Sequence, residues 1–290
     1  MGKSVSAKMA AELLKLWSKY TAEGRRQSFQ DILEEGEKRS SAPLLLRARQ
    51  EDNEYGRIVY VHEDPTSRYV VFYLHGGAYL HDIILPHWQF IDRLAKKTEA
   101  EVIVPLYRLV PFATYQEAFD LIVPLYKHIS ETYPDKKIIL MGDSAGGGLS
   151  LALAEFFKAE KIRMPDELVL LSPWVDAVME NEELAEYEKK DPFLDIASLK
   201  PPAERWAGDL EVRDPKISPI FGDLKGIRNV TAFVGTSELF YPDVVRFYQM
   251  LDPDPANELV IGEEMNHVYP LFPIPEAKSA LNKIFEVVMR

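Results

Sequence analysis

The chain predicts an α/β fold, a doubly wound and mostly parallel sheet with a small helical cap. Two observations carry that expectation. Short β-rich apolar runs recur along the sequence, and helical patterns separate most of them. One strand-to-helix junction is also forced through a glycine-flanked serine, Gly142-Asp143-Ser144-Ala145-Gly146.

In chain order, an amphipathic helical pattern comes first, with Met9, Leu13, Leu14, Leu16, Trp17 and Tyr20 on its apolar face. A second runs from Phe29 to Lys38. Residues 1–45 are assigned to an N-terminal helical cap segment and 46–290 to one catalytic domain, although the first helix could instead cover a flank of the sheet. Strands are expected at 57–61, 69–74, 102–104, 138–141, 168–171, 230–234 and 259–261, their continuous apolar character implying burial on both faces. Helices are expected around 87–97, 114–130, 147–159, 243–251 and 276–288. In the second of these, Ala118, Phe119, Ile122, Tyr126 and Ile129 share a face, and Thr114 with Glu117 forms a capping box. The interval 176–218, charged and then Pro-rich, breaks the alternation and reads as a cap insertion. In such sheets ligands bind at the carboxyl ends of the strands.

Composition narrows the function. With 34 basic against 46 acidic residues the net charge is −12, which repels phosphate backbones and argues against nucleic acid. No cysteine is present, so disulfides, thiolate metal sites and a cysteine nucleophile are excluded. The absence of a secretory pattern or of a long apolar run leads to the expectation of a cytoplasmic protein without membrane contact; the myristoylation-like Met1-Gly2-Lys3-Ser4-Val5-Ser6 has nothing to support it. Gly146-Gly147-Gly148 lacks the Lys-Ser/Thr of a phosphate loop, and His75, His81 and His87 do not have metal-ligand spacing. No cofactor and no metal are expected.

Ser144 sits where a sharp turn would lift its hydroxyl to the sheet edge. A serine hydroxyl is a poor nucleophile at neutral pH, so it requires a base and an acid that orients the base. His267 is the only histidine after it, in the loop between the last strand and the last helix. For the acid, Glu238 lies nearest the end of strand 230–234, while Asp243, the alternative, reads more simply as a helix cap. Asp143 reads as a local hydrogen-bonding residue and His75 as a loop-orienting one. Tyr79, Trp88, Phe240 and Tyr241 either narrow a pocket or belong to the core.

These motifs together resemble the hormone-sensitive-lipase-like family of α/β-hydrolases, in its bacterial esterase branch. The likeness rests on His75-Gly76-Gly77-Ala78-Tyr79, Tyr107-Arg108-Leu109-Val110-Pro111, Gly142-Asp143-Ser144-Ala145-Gly146, Ser172-Pro173-Trp174-Val175-Asp176, Ser218-Pro219-Ile220, Gly235-Thr236-Ser237-Glu238 and Met265-Asn266-His267. It implies a catalytic triad of Ser144, Glu238 and His267. It also implies an oxyanion hole from Gly76, Gly77, Ala78 and Ala145, with Gly76 mainly shaping the turn, and an alanine where many relatives have a third glycine. The implied activity is that of a serine carboxylesterase acting on small esters of short acyl chains, acetyl to about hexanoyl, through an acyl-enzyme, in a possible homodimer. An amidase or formamidase would use the same triad, and a non-catalytic ligand receptor on this fold would be expected to lack the histidine, which is retained here.

Overall fold

The computed structural model describes Ser4, Ser6, Lys8 and Met9, residues 29–37 and residues 40–290. Leu13, Leu14, Leu16, Trp17 and Tyr20 of the first expected helix lie outside the described residues. Helix α1 (Phe29–Glu35) precedes a hairpin of β1 (Ala48–Asn53) and β2 (Gly56–Val61). Strands and helices then alternate through β3 (Tyr69–Leu74), α2 (Leu85–Thr98), β4 (Glu101–Tyr107), α3 (Tyr115–Thr132), β5 (Lys137–Asp143), α4 (Ser144–Ala159) and β6 (Glu167–Leu171). Two helices, α5 (Leu184–Lys190) and α6 (Ile196–Ala207), come before β7 (Val230–Gly235), α7 (Tyr241–Met250), β8 (Glu258–Gly262) and α8 (Ala277–Met289).

The strands form one eight-stranded sheet of order β1-β2-β4-β3-β5-β6-β7-β8. From β4 to β8 in that order all pairings are parallel, whereas β2 runs antiparallel to β4 and β1 antiparallel to β2. Alternate side chains feed two cores. Phe72 and Leu140 face the side that carries α3, α4 and α6, while Tyr73 and Met141 face α2 and α8. The expected face of α3 (Ala118, Phe119, Ile122, Tyr126, Ile129) packs on the first core, and its capping box is present, with Glu117 accepting the Thr114 N–H at 2.9 Å and Thr114 Oγ1 the Gln116 N–H at 3.3 Å.

Three differences from the expected elements have physical causes. Strand β1 was not foreseen because Ala-Arg-Gln-Glu-Asp-Asn has no apolar alternation; it is an exposed edge strand whose charges block further pairing, held by its register with β2. The last strand, expected to be buried on both faces, is a half-exposed edge. Helix α4 begins at Ser144 rather than 147, because the three consecutive glycines that weaken helical propensity are fixed by packing: a Cβ on Gly146 would stand 2.1 Å from Leu74 O, and one on Gly148 2.1 Å from Trp174 O.

The interval 176–218 forms α5 and α6 and is closed at its base by a clasp. Ser218 Oγ accepts the Ala177 N–H at 2.9 Å and donates to Val212 O, while Val175 O accepts the Ile220 N–H at 3.1 Å. This accounts for Ser-Pro-Ile at one end of the insertion and Trp-Val-Asp at the other.

Candidate active site

Ser144 is the first residue of α4, directly after β5, and its backbone is held at φ 51°, in the left-handed region that a side chain adopts only under constraint. The turn tightens around glycines: a Cβ on Gly142 would fall 2.3 Å from Gly146 O. The result is a serine raised at the carboxyl end of the central parallel strands, with a helix N-terminus behind it.

His267 arrives from the loop after β8, and its Nε2 lies 2.9 Å from Ser144 Oγ, both residues being buried. On the other side of the ring, Nδ1 faces Glu238 Oε1 at 3.6 Å. Among the described residues neither atom has a hydrogen-bond partner, and their separation exceeds a hydrogen bond. A proton on Nδ1 suits that arrangement and leaves Nε2 to accept from the serine hydroxyl. Phe240 meets the imidazole edge-on, with ring centres 5.1 Å apart.

Glu238 is wholly buried in the turn between β7 and α7. Its Oε2 accepts from Ser172 Oγ at 2.8 Å and from the Gly235 N–H at 3.1 Å. Ser172 Oγ in turn accepts the Val268 N–H at 3.0 Å, so one hydroxyl joins the acid turn to the histidine loop. The two loops are also joined through backbone, Ser237 N–H to Met265 O at 2.9 Å, an approach that a Cβ on Gly235 would block at 2.2 Å. The bridging part of Ser172 was not anticipated from sequence. Its signals are its place in the Ser172-Pro173-Trp174-Val175-Asp176 motif and its position at the end of β6, beside the strand that carries Glu238.

Asp243, the alternative acid, does not face the histidine. It lies in the first turn of α7 and accepts from Asn181 Nδ2 at 2.7 Å, and burial pushes its carboxyl up to about 6. Nor is it the expected helix cap, since the N-cap position belongs to Phe240.

The His-Gly-Gly-Ala loop follows β3 and lies against the elbow, where a Cβ on Gly76 would be 2.8 Å from that of Ser144. Gly76 departs from the expected oxyanion set, because its N–H is donated to Asp143 Oδ1 at 3.0 Å. Among the described residues the N–H groups of Gly77, Ala78 and Ala145 donate to no protein atom. Gly77 (φ 119°), Ala78 (φ 54°) and Tyr79 (φ 59°) form a run of left-handed backbone, so the alanine is accommodated at the cost of local strain. The turn is secured by Leu80 and His81 N–H bonds to Gly77 O at 3.0 and 2.7 Å.

Asp143 is a hub for this loop. Its carboxylate accepts from Tyr73 Oη at 2.6 Å, the Gly76 N–H and His87 Nε2 at 3.2 Å. His87 Nδ1 accepts the Ile84 N–H at 3.2 Å, which puts its proton on Nε2 toward Asp143. Burial works against the Asp143 charge, but His87 and the other donors outweigh it and hold the carboxyl below its ordinary range. His75 is buried, its Nδ1 2.7 Å from Gly76 O and its ring stacked on Tyr107 at 4.7 Å. Burial pushes that imidazole below its ordinary value.

Of the four aromatics singled out, Tyr79 and Phe240 lie on the site's face of the sheet. Tyr79 donates to Ala145 O at 3.0 Å and stacks on Trp206 of α6 at 4.2 Å. Tyr241 stacks on Tyr187 of α5, and Trp88 belongs to the core on the opposite face.

The comparisons agree with this architecture. The family model for the alpha/beta hydrolase fold matches residues 71–271, and the chain belongs to that family. Solved structures described as hormone-sensitive lipase homologues share its fold. An "Esterase" of Acinetobacter venetianus is 32% identical over 75% of this chain and 73% of its own length. An "Acetyl-hydrolase" of Streptomyces hygroscopicus is 30% identical over 60% of this chain, a match spanning 58% of that relative. Among solved structures, an esterase from the bacterial hormone-sensitive lipase family superposes with TM-score 0.83 at 23% identity, covering 100% of this chain and 99% of that one. A putative esterase from Staphylococcus aureus gives 0.82 at 24% identity, with 90% of each chain covered.

Proposed function

We propose that the protein is a serine carboxylesterase that hydrolyses small esters of short acyl chains through Ser144, His267 and Glu238. The class, carboxylic ester hydrolase, follows from the family and from relatives named esterase and acetyl-hydrolase. The observation that carries the mechanism is the 2.9 Å contact between Ser144 Oγ and His267 Nε2, with Glu238 on the far side of the same ring. Ser144 attacks the ester carbonyl as His267 takes its proton, and the N–H groups of Gly77, Ala78 and Ala145 receive the developing oxyanion. His267 then protonates the departing alcohol, and water activated by the same imidazole releases the acid from the acyl-enzyme.

In this reading α1, α5 and α6 form a cap over the serine. The aromatic packing of Tyr79 on Trp206, with Phe240 beside the histidine, leaves little room on that side and supports short acyl groups. Ser144→Ala tests the mechanism: turnover of nitrophenyl acetate falls by about 10⁴-fold or more while the circular dichroism spectrum is unchanged. Wild-type turnover in that variant would refute it.

A further inference from the structure

Asp191 lies in the turn between α5 and α6, remote in sequence from Ser144, Glu238 and His267. Its Oδ1 accepts the N–H groups of Phe193 at 2.7 Å and Leu194 at 3.0 Å, which shapes the turn into α6. Its Oδ2 accepts the N–H of Leu239 at 2.7 Å, the residue next to Glu238. The same turn presents the Phe193 ring to the imidazole of His267, with centres 6.1 Å apart, and a charge on His267 favours the ionised Asp191 carboxyl. Among the described residues no lysine or arginine forms an ion pair with Asp191.

We propose that Asp191 is a positioning residue for the reaction: it ties the insertion to the acid turn and places a second negative charge near the imidazole that must gain a proton. The proposal rests on the triad reading. Glu238 is held by Ser172 and Gly235 through Oε2 and leaves 3.6 Å between its Oε1 and Nδ1, so the placement of the 238–240 turn decides how well that carboxylate supports an imidazolium. Asp191 fixes this turn from the opposite side. The ionisable groups around His267 include Glu238 from the β7–α7 turn, Ser144 from the elbow, Asp191 from the insertion and Tyr269, whose hydroxyl is pushed up by burial and by Glu238. Burial pushes the Asp191 carboxyl up to about 6, against the charge of His267 and the three backbone donors, so the second charge is present above about pH 6 and lost below it.

The test is Asp191→Asn, which keeps the shape and one acceptor but removes the charge. Its kinetics on nitrophenyl acetate are measured from pH 5 to 9, with reactive sites counted by fluorophosphonate titration, beside Ser144→Ala and a control in the same turn, Asp195→Asn, which alters the N-cap of α6. We expect kcat per titrated site to fall about tenfold with KM nearly unchanged, and the acid limb of kcat/KM to move down by about half a pH unit. The control leaves the limb in place.

A wild-type rate and profile, a lower kcat with an unmoved limb, or an equal shift in the control would each overturn the proposal. Asp191→Glu provides a second reading if the Asn variant yields no titratable sites. It retains the charge and so keeps the wild-type limb; a displaced limb there also overturns the proposal. An active Ser144→Ala would instead remove the triad itself, whereas an inactive one beside a wild-type Asp191→Asn profile removes only the role of Asp191.

Discussion

Which carboxylate supports the histidine is decided within a few ångströms. Glu238 faces Nδ1 of His267, while Asp243 is occupied by Asn181. Glu238→Ala should therefore lower kcat by about 10³-fold or more, and Asp243→Ala by less than about tenfold, when the two are assayed side by side. A second residue-scale effect concerns stability. Glu155, on α4, is buried with Oε1 unpaired; burial pushes its carboxyl up to about 8, offset in part by Lys158. Its folded value lies above the unfolded one, so its contribution is full below the ordinary glutamate range and is lost as pH rises through about 8. Each unit of displacement corresponds to about 1.4 kcal/mol. Glu155→Gln should flatten that loss, raising Tm at pH 9 by about 5 °C while changing it less at pH 6, as thermal unfolding across the range would show.

At the scale of elements, α4 matters most because it joins the proposed nucleophile to packing. Its first residue is Ser144, and its glycines let the helix lie against β3 and the 172–174 segment. Gly148→Ala puts a methyl group 2.1 Å from Trp174 O, so the helix must shift. We expect about 3 kcal/mol of destabilisation, with a fall in kcat alongside it. A denaturation midpoint equal to that of the wild type would show that the helix absorbs the methyl. The buried parallel strands and amphipathic helices were legible because their periodicity is set by one-sided or two-sided burial. Strand β1 was not, since its pairing is specified by a neighbour's hydrogen bonds and not by its own composition.

For the whole molecule, the parallel sheet gathers residues from the carboxyl ends of β3, β5, β6, β7 and β8, and the 176–218 segment meets them through Phe193 beside His267 and Asp191 on the Leu239 N–H. Under the proposed function, the aromatic packing of Tyr79 on Trp206 beside the site should discriminate by acyl length. With nitrophenyl esters from acetyl to decanoyl and an acetylated sugar in the panel, kcat/KM should peak at acetyl to butyryl and fall by about tenfold or more by octanoyl. A maximum at decanoyl would refute the short-chain reading, and faster cleavage of a matched amide would favour an amidase. Among the described residues no helix is long and apolar enough to cross a membrane.

Strand-helix alternation and the tight turn at Ser144 were readable from residue order alone, because each follows from local periodicity or from residue types that few contexts tolerate. Tertiary structure decided what depends on approach between distant segments. It turned Glu238 toward the imidazole and Asp243 toward Asn181, and it committed the Gly76 N–H to Asp143. It also brought Ser172 and Asp191 to the acid turn. Hydrogen bonds between loops are set by distance and direction in space, and neither quantity is written in the spacing of residues along a chain.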